Sequence, residues 1–541
     1  MTMDNKQDET IYLEYLRNND PTKSILAHFS TLLGNEDASW KPTSIDKYSY
    51  LDFAEDRLRQ FALCQREDGA ILDPYAGEEK EFVTACFAKT GAILLDAGRC
   101  VDLHNSILKA MDLACWQLAN NKVPDAHGDF VTQMLVLAYR LLSKTVEESS
   151  KAKWSHDLCG FDPAMIYQQV EPKMPLKSIR NWATYAMHGE MMRFNEGFVD
   201  SQAFINHYLP PQMTRFTPEG LYRDPNLPVA YDLAARDQLA GVLEEGYAGE
   251  SASLLEVLLH RGLRTMLFMQ SSNGESGCGG RSNQYIWQDI TFAQLCEREA
   301  TRLWAANEPQ WAGIFKRAGR RAFATTLRWS GDPVQPRLCK NRFPPEQRHG
   351  MEMYAYYSAY SLYAAQLAAS CYFYADDRIP EVPAPCDIGG HVLHIPSFYR
   401  TYAVTGAGGG NQHVTVDHFA QCGHDATGLV RFHRDGVPGE LALSVGIPGS
   451  VPNEPAIYLR PRLSELSPEA AACIGIAWRD SYGAWHRLSQ NGRSKHEVFN
   501  AIDPDGQPLQ SEKSPWSARV ETLESAAESI VFQVVYTAAN V

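Results

Sequence analysis

Ile379-Pro-Glu-Val-Pro-Ala-Pro-Cys386 divides the sequence into two textures. Its prolines fix φ and remove backbone donors, so neither a helix nor an interior strand runs through it. On its N-terminal side, from about residue 45 to 376, apolar residues recur at i, i+3, i+4 and i+7, separated by short Gly/Pro/Asn turns. The spacing predicts helices over 102–120, 129–143, 178–193, 231–245, 254–270, 285–307, 310–328 and 351–373. No 34- or 40-residue self-similarity runs through them, which disfavours a repeat solenoid and favours paired helices closing into a toroid. On the C-terminal side the period drops to two over 391–395, 398–404, 413–419, 428–433, 441–445, 472–478 and 530–536. Turn clusters such as Gly408-Gly-Gly-Asn411 separate these runs. The expected fold is therefore multidomain, α then β. An N-terminal extension (1–44) packs on an (α/α) toroid (45–378), a linker follows (379–390), and an antiparallel β-sandwich closes the chain (391–541).

The 541 residues are 44% hydrophobic and 11% aromatic, enough to bury sizeable cores. The formal net charge is -15, a field that repels nucleic acid and anionic membranes. An anionic ligand must then meet a local cluster of basic side chains. No long uncharged apolar run offers a membrane span, and the polar, acidic N-terminus lacks the pattern of a secretory signal, so a cytoplasmic location is expected. The 12 cysteines are scattered singly in apolar runs without a CxxC pair and read as reduced core thiols.

Four segments carry more polar and aromatic groups than helix packing needs. In 181–190, Asn181, Tyr185 and His188 fall at i, i+4 and i+7 and would present an amide, a phenol and an imidazole as one stripe, or only a satisfied polar helix face. In 215–225, a Pro/Gly-punctuated loop holds Tyr222 and Arg223, for a ligand or merely to cap the next helix. In 271–287, a glycine-rich loop is expected to drop into a helix whose first turn offers Arg281, Asn283 and Gln284, with Trp287 one turn on as a stacking surface. The bland alternative is that its glycines only permit tight packing; the spacing is not that of a nucleotide loop. In 348–363, Arg348 and His349 precede Tyr354, Tyr356, Tyr357, Tyr360 and Tyr363, of which at least half should only pack. Asp129 reads as a helix N-terminal acid. Histidines 413, 418, 424 and 433 alternate along strands and make a poor metal site.

A helical toroid with a C-terminal sandwich, carrying Asn181-Trp-x-x-x-Tyr185-x-x-His188, Gly279-Gly-Arg281-Ser-Asn283-Gln284 and Arg348-His349 followed by Tyr354 and Tyr357, resembles the polysaccharide lyases of that architecture, the rhamnosyl-glucuronate lyases among them. The resemblance implies β-elimination on a uronic acid: the C5 proton is abstracted, the C4 oxygen leaves, and a 4,5-unsaturated sugar remains. Amides and a guanidinium (Asn181, Asn283, Gln284, Arg281) would neutralise the sugar carboxylate, each well-placed donor contributing about 3 kcal/mol. Tyr357 or Tyr354, with His188 or His349, would move the protons, and Tyr185, Tyr222, Arg223, Trp287 and Arg348 would hold the sugar. No cofactor is required; some such lyases use calcium, and no EF-hand-like acidic loop is present. The expected partner is an acidic poly- or oligosaccharide, with neither nucleic acid nor membrane.

Two other readings stand beside it. A glycoside hydrolase on the same toroid would need a carboxylate pair, for which Asp129, Glu190, Asp224, Asp232 and Glu352 are available. A non-catalytic sugar-binding scaffold would need only the aromatic and polar surfaces.

Overall fold

The computed structural model describes residues 3–33, 40–170, 175–330, 337–340, 345–348, 351–405, 411–417 and 428–434, together with strand segments 443–448, 456–458, 477–479, 485–487, 516–526 and 529–538. The helices are α1 (Met3–Asn18), α2 (Lys23–Leu32), α3 (Lys47–Ala62), α4 (Val83–Asp96), α5 (His104–Ala119), α6 (Gly128–Leu142) and α7 (Glu148–Gly160). They continue with the one-turn α8 (Pro163–Ile166), α9 (Trp182–Asn195), α10 (Gln202–Met213), α11 (Val229–Glu244), α12 (Ala252–Leu267), α13 (Ile286–Ala305), α14 (Pro309–Ser330) and α15 (Tyr357–Tyr374).

Six of these close a circle: α4 packs on α6, α6 on α9, α9 on α11, α11 on α13, α13 on α15, and α15 back on α4. The helices between them in sequence form an outer layer, α3 against α15 and α4, α5 against α4 and α6, α10 against α9, α12 against α11, and α14 against α13. The sequence dictates which layer each helix joins. In α4, every residue from Val83 to Leu94 is buried, so it has no polar face to show water and must lie inside. α15 is buried continuously from Tyr357 to Cys371 for the same reason. Outer helices such as α5 and α12 keep exposed polar positions between buried ones. α3 starts at a reciprocal cap, Asp46 accepting from the Ser49 N–H (2.8 Å) while the Ser49 hydroxyl accepts from the Asp46 N–H (3.2 Å).

Along the outside, α1 and α2 are stitched to the ring: the Tyr12 hydroxyl donates to the Phe216 carbonyl (2.6 Å), Arg261 of α12 donates to the Leu16 and Asn19 carbonyls, and Phe29 meets Phe268 edge-on. The proline-rich connector is fastened too, with Val382 donating to the Gly313 carbonyl (3.1 Å) and Glu381 paired with Arg317 (3.0 Å).

The strands β1 (His391–Ile395), β2 (Arg400–Val404), β3 (Gln412–Asp417), β4 (Gly428–Arg434), β5 (Leu443–Pro448) and β6 (Ala456–Tyr458) form one antiparallel sheet in sequence order. β7 (Ala477–Arg479) pairs with β8 (Trp485–Arg487), and β9 (Trp516–Ala526) with β10 (Ser529–Ala538). Among the described residues the expected sandwich is thus one six-stranded sheet and two ribbons; two facing layers are not shown.

Ring and sheet meet through the loop 271–284. The Gly279 φ of 142° lies where a side chain is strained, and a Cβ there would strike the Arg400 guanidinium of β2. Arg400 is buried against Asp417 (2.7 Å) and also donates to the Leu227 carbonyl. Glu275 is wrapped by Lys340 (3.2 Å) and Arg431 (3.2 Å), and although burial opposes ionisation, these cations hold its carboxyl well below the usual range. Beside it lie three buried histidines: His433 bonded to the Ser271 hydroxyl, His413, and His391 facing the Phe268 carbonyl. Burial pushes His433 down to about 3 and His391 to about 4 from an ordinary 6.5, and His413 is lowered as well.

A histidine that is neutral when folded and protonated when released contributes stability that is present above pH 6.5 and lost as pH falls toward its folded value. The melting temperature is therefore expected to drop between about pH 6.5 and 4, a loss on the order of several kcal/mol in all. His433→Gln should flatten that limb; a melting temperature independent of pH in this window in the unmutated chain contradicts the neutral seam.

Candidate active site

Alternation of inner and outer helices brings the starts of all six inner helices to one rim, and there their first residues touch. Phe82, which precedes α4, stacks on Phe130 of α6 (ring centroids 5.6 Å apart), and Phe130 stacks on Tyr185 of α9 (4.2 Å). The Tyr185 hydroxyl bonds that of Tyr363 in α15 (2.7 Å), Tyr363 meets Trp287 of α13 edge-on (5.6 Å), and Trp287 meets Tyr231 of α11 edge-on (6.4 Å). Phe82 also meets Tyr363 (5.6 Å), so one aromatic floor joins all six helices.

Above this floor the rim is polar and partly open. Tyr354 is 41% exposed, and its hydroxyl bonds that of Tyr231 (3.0 Å). The Arg281 guanidinium lies 4.4 Å from the Tyr231 ring centroid and pairs with Asp224 (2.9 Å), which also accepts from the Asn181 N–H (3.4 Å). On the opposite flank Lys80 and Arg348 both stand over the Tyr356 ring (4.7 and 5.0 Å). These cations are held in place by the rings and by their own partners, Lys80 pairing with Glu78 (2.5 Å) and Arg281 with Asp224.

Several buried polar atoms around this rim have no hydrogen-bond partner among the described residues: the Trp287 Nε1, the His127 Nδ1 and both carboxyl oxygens of Asp129. Leaving such groups unpaired costs about 1–3 kcal/mol each, and native proteins tolerate it where a ligand completes the bonds. The side-chain amide of Asn181, a residue only 2% exposed, likewise makes no bond among these residues.

The acids of the rim differ sharply. Glu81, buried and directly before Phe82, has its carboxyl raised well above the usual range, by burial first and then by Asp125, with Arg348 only partly offsetting. Its backbone N–H donates to the Asp125 carboxylate (2.9 Å). Asp129 is raised well above its ordinary value by burial, against the weak pull of its own N–H and that of Phe130. Glu352 accepts from the Ser282 hydroxyl (2.7 Å) and from the Tyr285 hydroxyl, which in turn accepts the Glu352 N–H (3.0 Å). Burial raises Asp224 while Arg281 offsets it. His127, pushed down to about 4 by burial, is neutral at physiological pH.

The residues singled out from sequence fall into three groups. Asn181, Tyr185, Arg281, Trp287 and Tyr354 come together at the rim and floor, and Arg348 flanks them with its guanidinium donating to the Glu352, Met353 and Ala355 carbonyls. His188, Tyr222, Arg223, Asn283, Gln284 and Tyr357 are engaged elsewhere. His188 lies deeper in α9, its Nδ1 on the Gln238 side chain (2.9 Å) and its ring against Gly241, whose missing side chain makes room for it. Tyr222 donates to Gln212 (2.5 Å), Arg223 to the Arg215 and Thr214 carbonyls, and Asn283 to the Gly280 carbonyl (2.6 Å). Gln284 is buried where its carbonyl accepts from the Lys340 N–H. Tyr357 faces α3 and Tyr75, not the floor. His349 lies outside the described residues.

Two placements correct the sequence reading. Arg281, Asn283 and Gln284 precede α13, which begins at Ile286: positive φ at Gly279, Gly280 and Ser282 breaks the helical path. Likewise α15 begins at Tyr357, so Tyr354 and Tyr356 belong to the loop before it. Burial raises Tyr231, Tyr354, Tyr357 and Tyr363 above the ordinary phenol value, outweighing Arg281 at Tyr231 and Arg57 at Tyr357. Sequence reasoning missed Glu81, Lys80, Phe82, His127, Phe130 and Tyr231. A signal was present for two of them, since His127 and Phe130 bracket the acid that opens the 128–142 helix.

Among the described residues no cluster of His, Cys, Asp or Glu is arranged to hold a metal, and no helix is long and apolar enough to cross a membrane. The described cysteines are all free thiols. No family model and no curated protein matches the chain. Among solved structures it is similar to a protein described as "Glycosyl hydrolase family 88 from Bacteroides vulgatus", at 14% sequence identity and a TM-score of 0.42, over 60% of this chain and 99% of that one.

A carboxyl whose folded pKa is raised contributes stability that is present below its ordinary value, 3.8 for Asp129, and lost as pH rises. Asp129→Asn, neutral and of the same shape, is therefore expected to stabilise the chain at pH 7 by about 1 kcal/mol or more and to do much less at pH 4. Urea denaturation at the two pH values measures this; destabilisation at pH 7 is the contrary result.

Proposed function

We propose that this chain is an enzyme that cleaves an acidic glycan at the rim of the helical ring, hydrolysing the bond to a uronic-acid residue. The observation that carries this reading is the state of Glu81. A buried carboxyl that burial raises well above the ordinary range, beside the solvent-facing Asp125 and the engaged Glu352, is what a glycosidase needs in its general acid. In the proposed reaction Glu81 donates its proton to the leaving glycosidic oxygen. Asp125 or Glu352 supplies the second carboxylate that activates water or stabilises the sugar cation. Tyr231, Tyr354 and Trp287 offer ring faces to the sugar, and Arg281 with the Asn181 amide takes its carboxylate. Neither step calls on a metal or cofactor.

The β-elimination reading keeps one supporting observation, the convergence of Arg281, Asn181, Tyr231 and Tyr354, a carboxylate-neutralising set with phenols at hand. Its weakness is that burial holds those phenols protonated.

The two readings differ in product. With a panel of uronate oligosaccharides, hydrolysis is expected to release reducing ends without the ultraviolet absorbance of an unsaturated uronate; absorbance rising one for one with chain cleavage would establish elimination instead. Glu81→Gln is expected to lower kcat by about 10²–10⁴ with little change in KM. In the unmutated enzyme kcat should fall as pH rises through the elevated Glu81 pKa, because the protonated form is the active one, and that limb should be absent in Glu81→Gln. No cleavage of any acidic glycan removes the enzymatic reading altogether.

A further inference from the structure

The geometry points to a second subsite, formed by Arg180 and Trp182 beside the rim, that grips an acidic group on the sugar next to the one being cleaved. This rests on the reading of the rim as an acidic-glycan site and adds the class of neighbour it selects.

The loop entering α9 is bolted down by its backbone. The Ile179 carbonyl accepts from Arg215 (2.6 Å) and from the Gln212 side chain (3.4 Å), and the Asn181 N–H donates to buried Asp224. Between these anchors the Arg180 side chain takes no part in the bolting. Its guanidinium lies over the Trp182 ring, 5.7 Å from the centroid, and among the described residues it makes neither an ion pair nor a hydrogen bond. Both side chains are half-buried. Arg180, Arg215 and Arg281 all act on the carboxylate of Asp224, three cations around one anion.

A guanidinium stacked on an indole keeps its plane fixed and its edge N–H groups free, the arrangement that binds a planar or tetrahedral oxyanion through two bonds at small entropic loss. Arg281 reaches the same Asp224 whose other oxygen takes the Asn181 N–H, so the Arg180 pair is one residue removed from the Asn181 and Arg281 set. A glycan seated over the rim would thus meet two cationic positions in succession. The ligand chemistry is an oxyanion on the adjoining sugar, a carboxylate or a sulfate ester.

The test compares cleavage of three matched disaccharides of the same terminal uronate whose second sugar is neutral, a uronate or sulfated. The unmutated enzyme is expected to show a lower KM for one or both acidic neighbours than for the neutral one. Arg180→Gln should raise that KM about ten- to hundredfold, collapsing the preference, with the effect on KM and not kcat. Arg180→Lys should keep part of it, having charge without the planar fork. Which acidic substrate loses its advantage tells carboxylate from sulfate. An unmutated enzyme without preference, or an Arg180→Gln enzyme that keeps it, overturns the subsite while leaving the enzyme reading standing. If the unmutated chain cleaves none of the three and binds none by calorimetry, the parent reading falls and this one with it.

Discussion

Closing six helices into a circle fixes where everything else can be. An outer helix returns the chain between each inner helix and the next, so all six inner helices start at the same rim, and the segments entering them are forced into one another's company. The aromatic floor is the physical expression of that constraint. Phe82, Phe130, Tyr185, Tyr231, Trp287 and Tyr363 come from six helices, and each ring or hydroxyl rests on the next. The same closure concentrates helix N-termini, with their unpaired N–H groups, around whatever sits on the rim.

A ring closed this tightly has little freedom to repair a bad contact, which makes its unsatisfied atoms informative. Some buried acids are fully met: Glu190 takes Arg193 (2.5 Å), Tyr167 and Ser201, and Asp232 takes two nitrogens of Arg236. These acids had been available as a hydrolytic pair, and their full set of partners marks them as structural. At the rim, among the described residues, Asp129, His127 Nδ1 and Trp287 Nε1 have buried polar atoms without partners, and burial raises the Glu81 carboxyl well above its ordinary range. A site of this kind gives up stability that a shape-matched neutral residue would restore, the usual exchange between activity and stability.

Much of the architecture was legible in the sequence because it rests on periodicity. The predicted runs overlap α5, α6, α9, α11, α12, α13, α14 and α15 and most strands, and the turn from helix to strand at the proline-rich connector was plain. α3, α4, α7 and α10 were not foreseen: α4 is buried nearly all round, so its sequence carries no polar stripe to mark a face, and α10 is interrupted by Pro210 and Pro211. The site was legible only in part for a related reason. Arg281, Trp287 and Asn181 stood out as unusual residues in unusual segments, but nothing local in Glu81 or Phe82 announces that the ring brings them opposite α13 and α15. The i, i+4, i+7 stripe runs down the length of α9, so Asn181 and Tyr185 reach the rim and floor while His188 meets Gln238 and the open space at Gly241. Tyr357 packs toward α3 and Tyr75, while Tyr360 and Tyr363 pack against Trp287.

Charge supplies the last constraint. With -15 overall, the chain repels any anionic ligand at long range, so binding one takes a local cluster of cations acting within about a Debye length of it. The arginines at the rim are arranged for it. Arg281 and Arg348 are immobilised on Tyr231 and Tyr356, and Arg180 on Trp182, so each guanidinium has lost its freedom before any ligand arrives. Across the rim, burial and Asp125 both raise the Glu81 carboxyl and oppose its ionisation. On the proposed reading, a proton held there would serve the leaving oxygen and would spare a bound carboxylate the repulsion of an ionised acid.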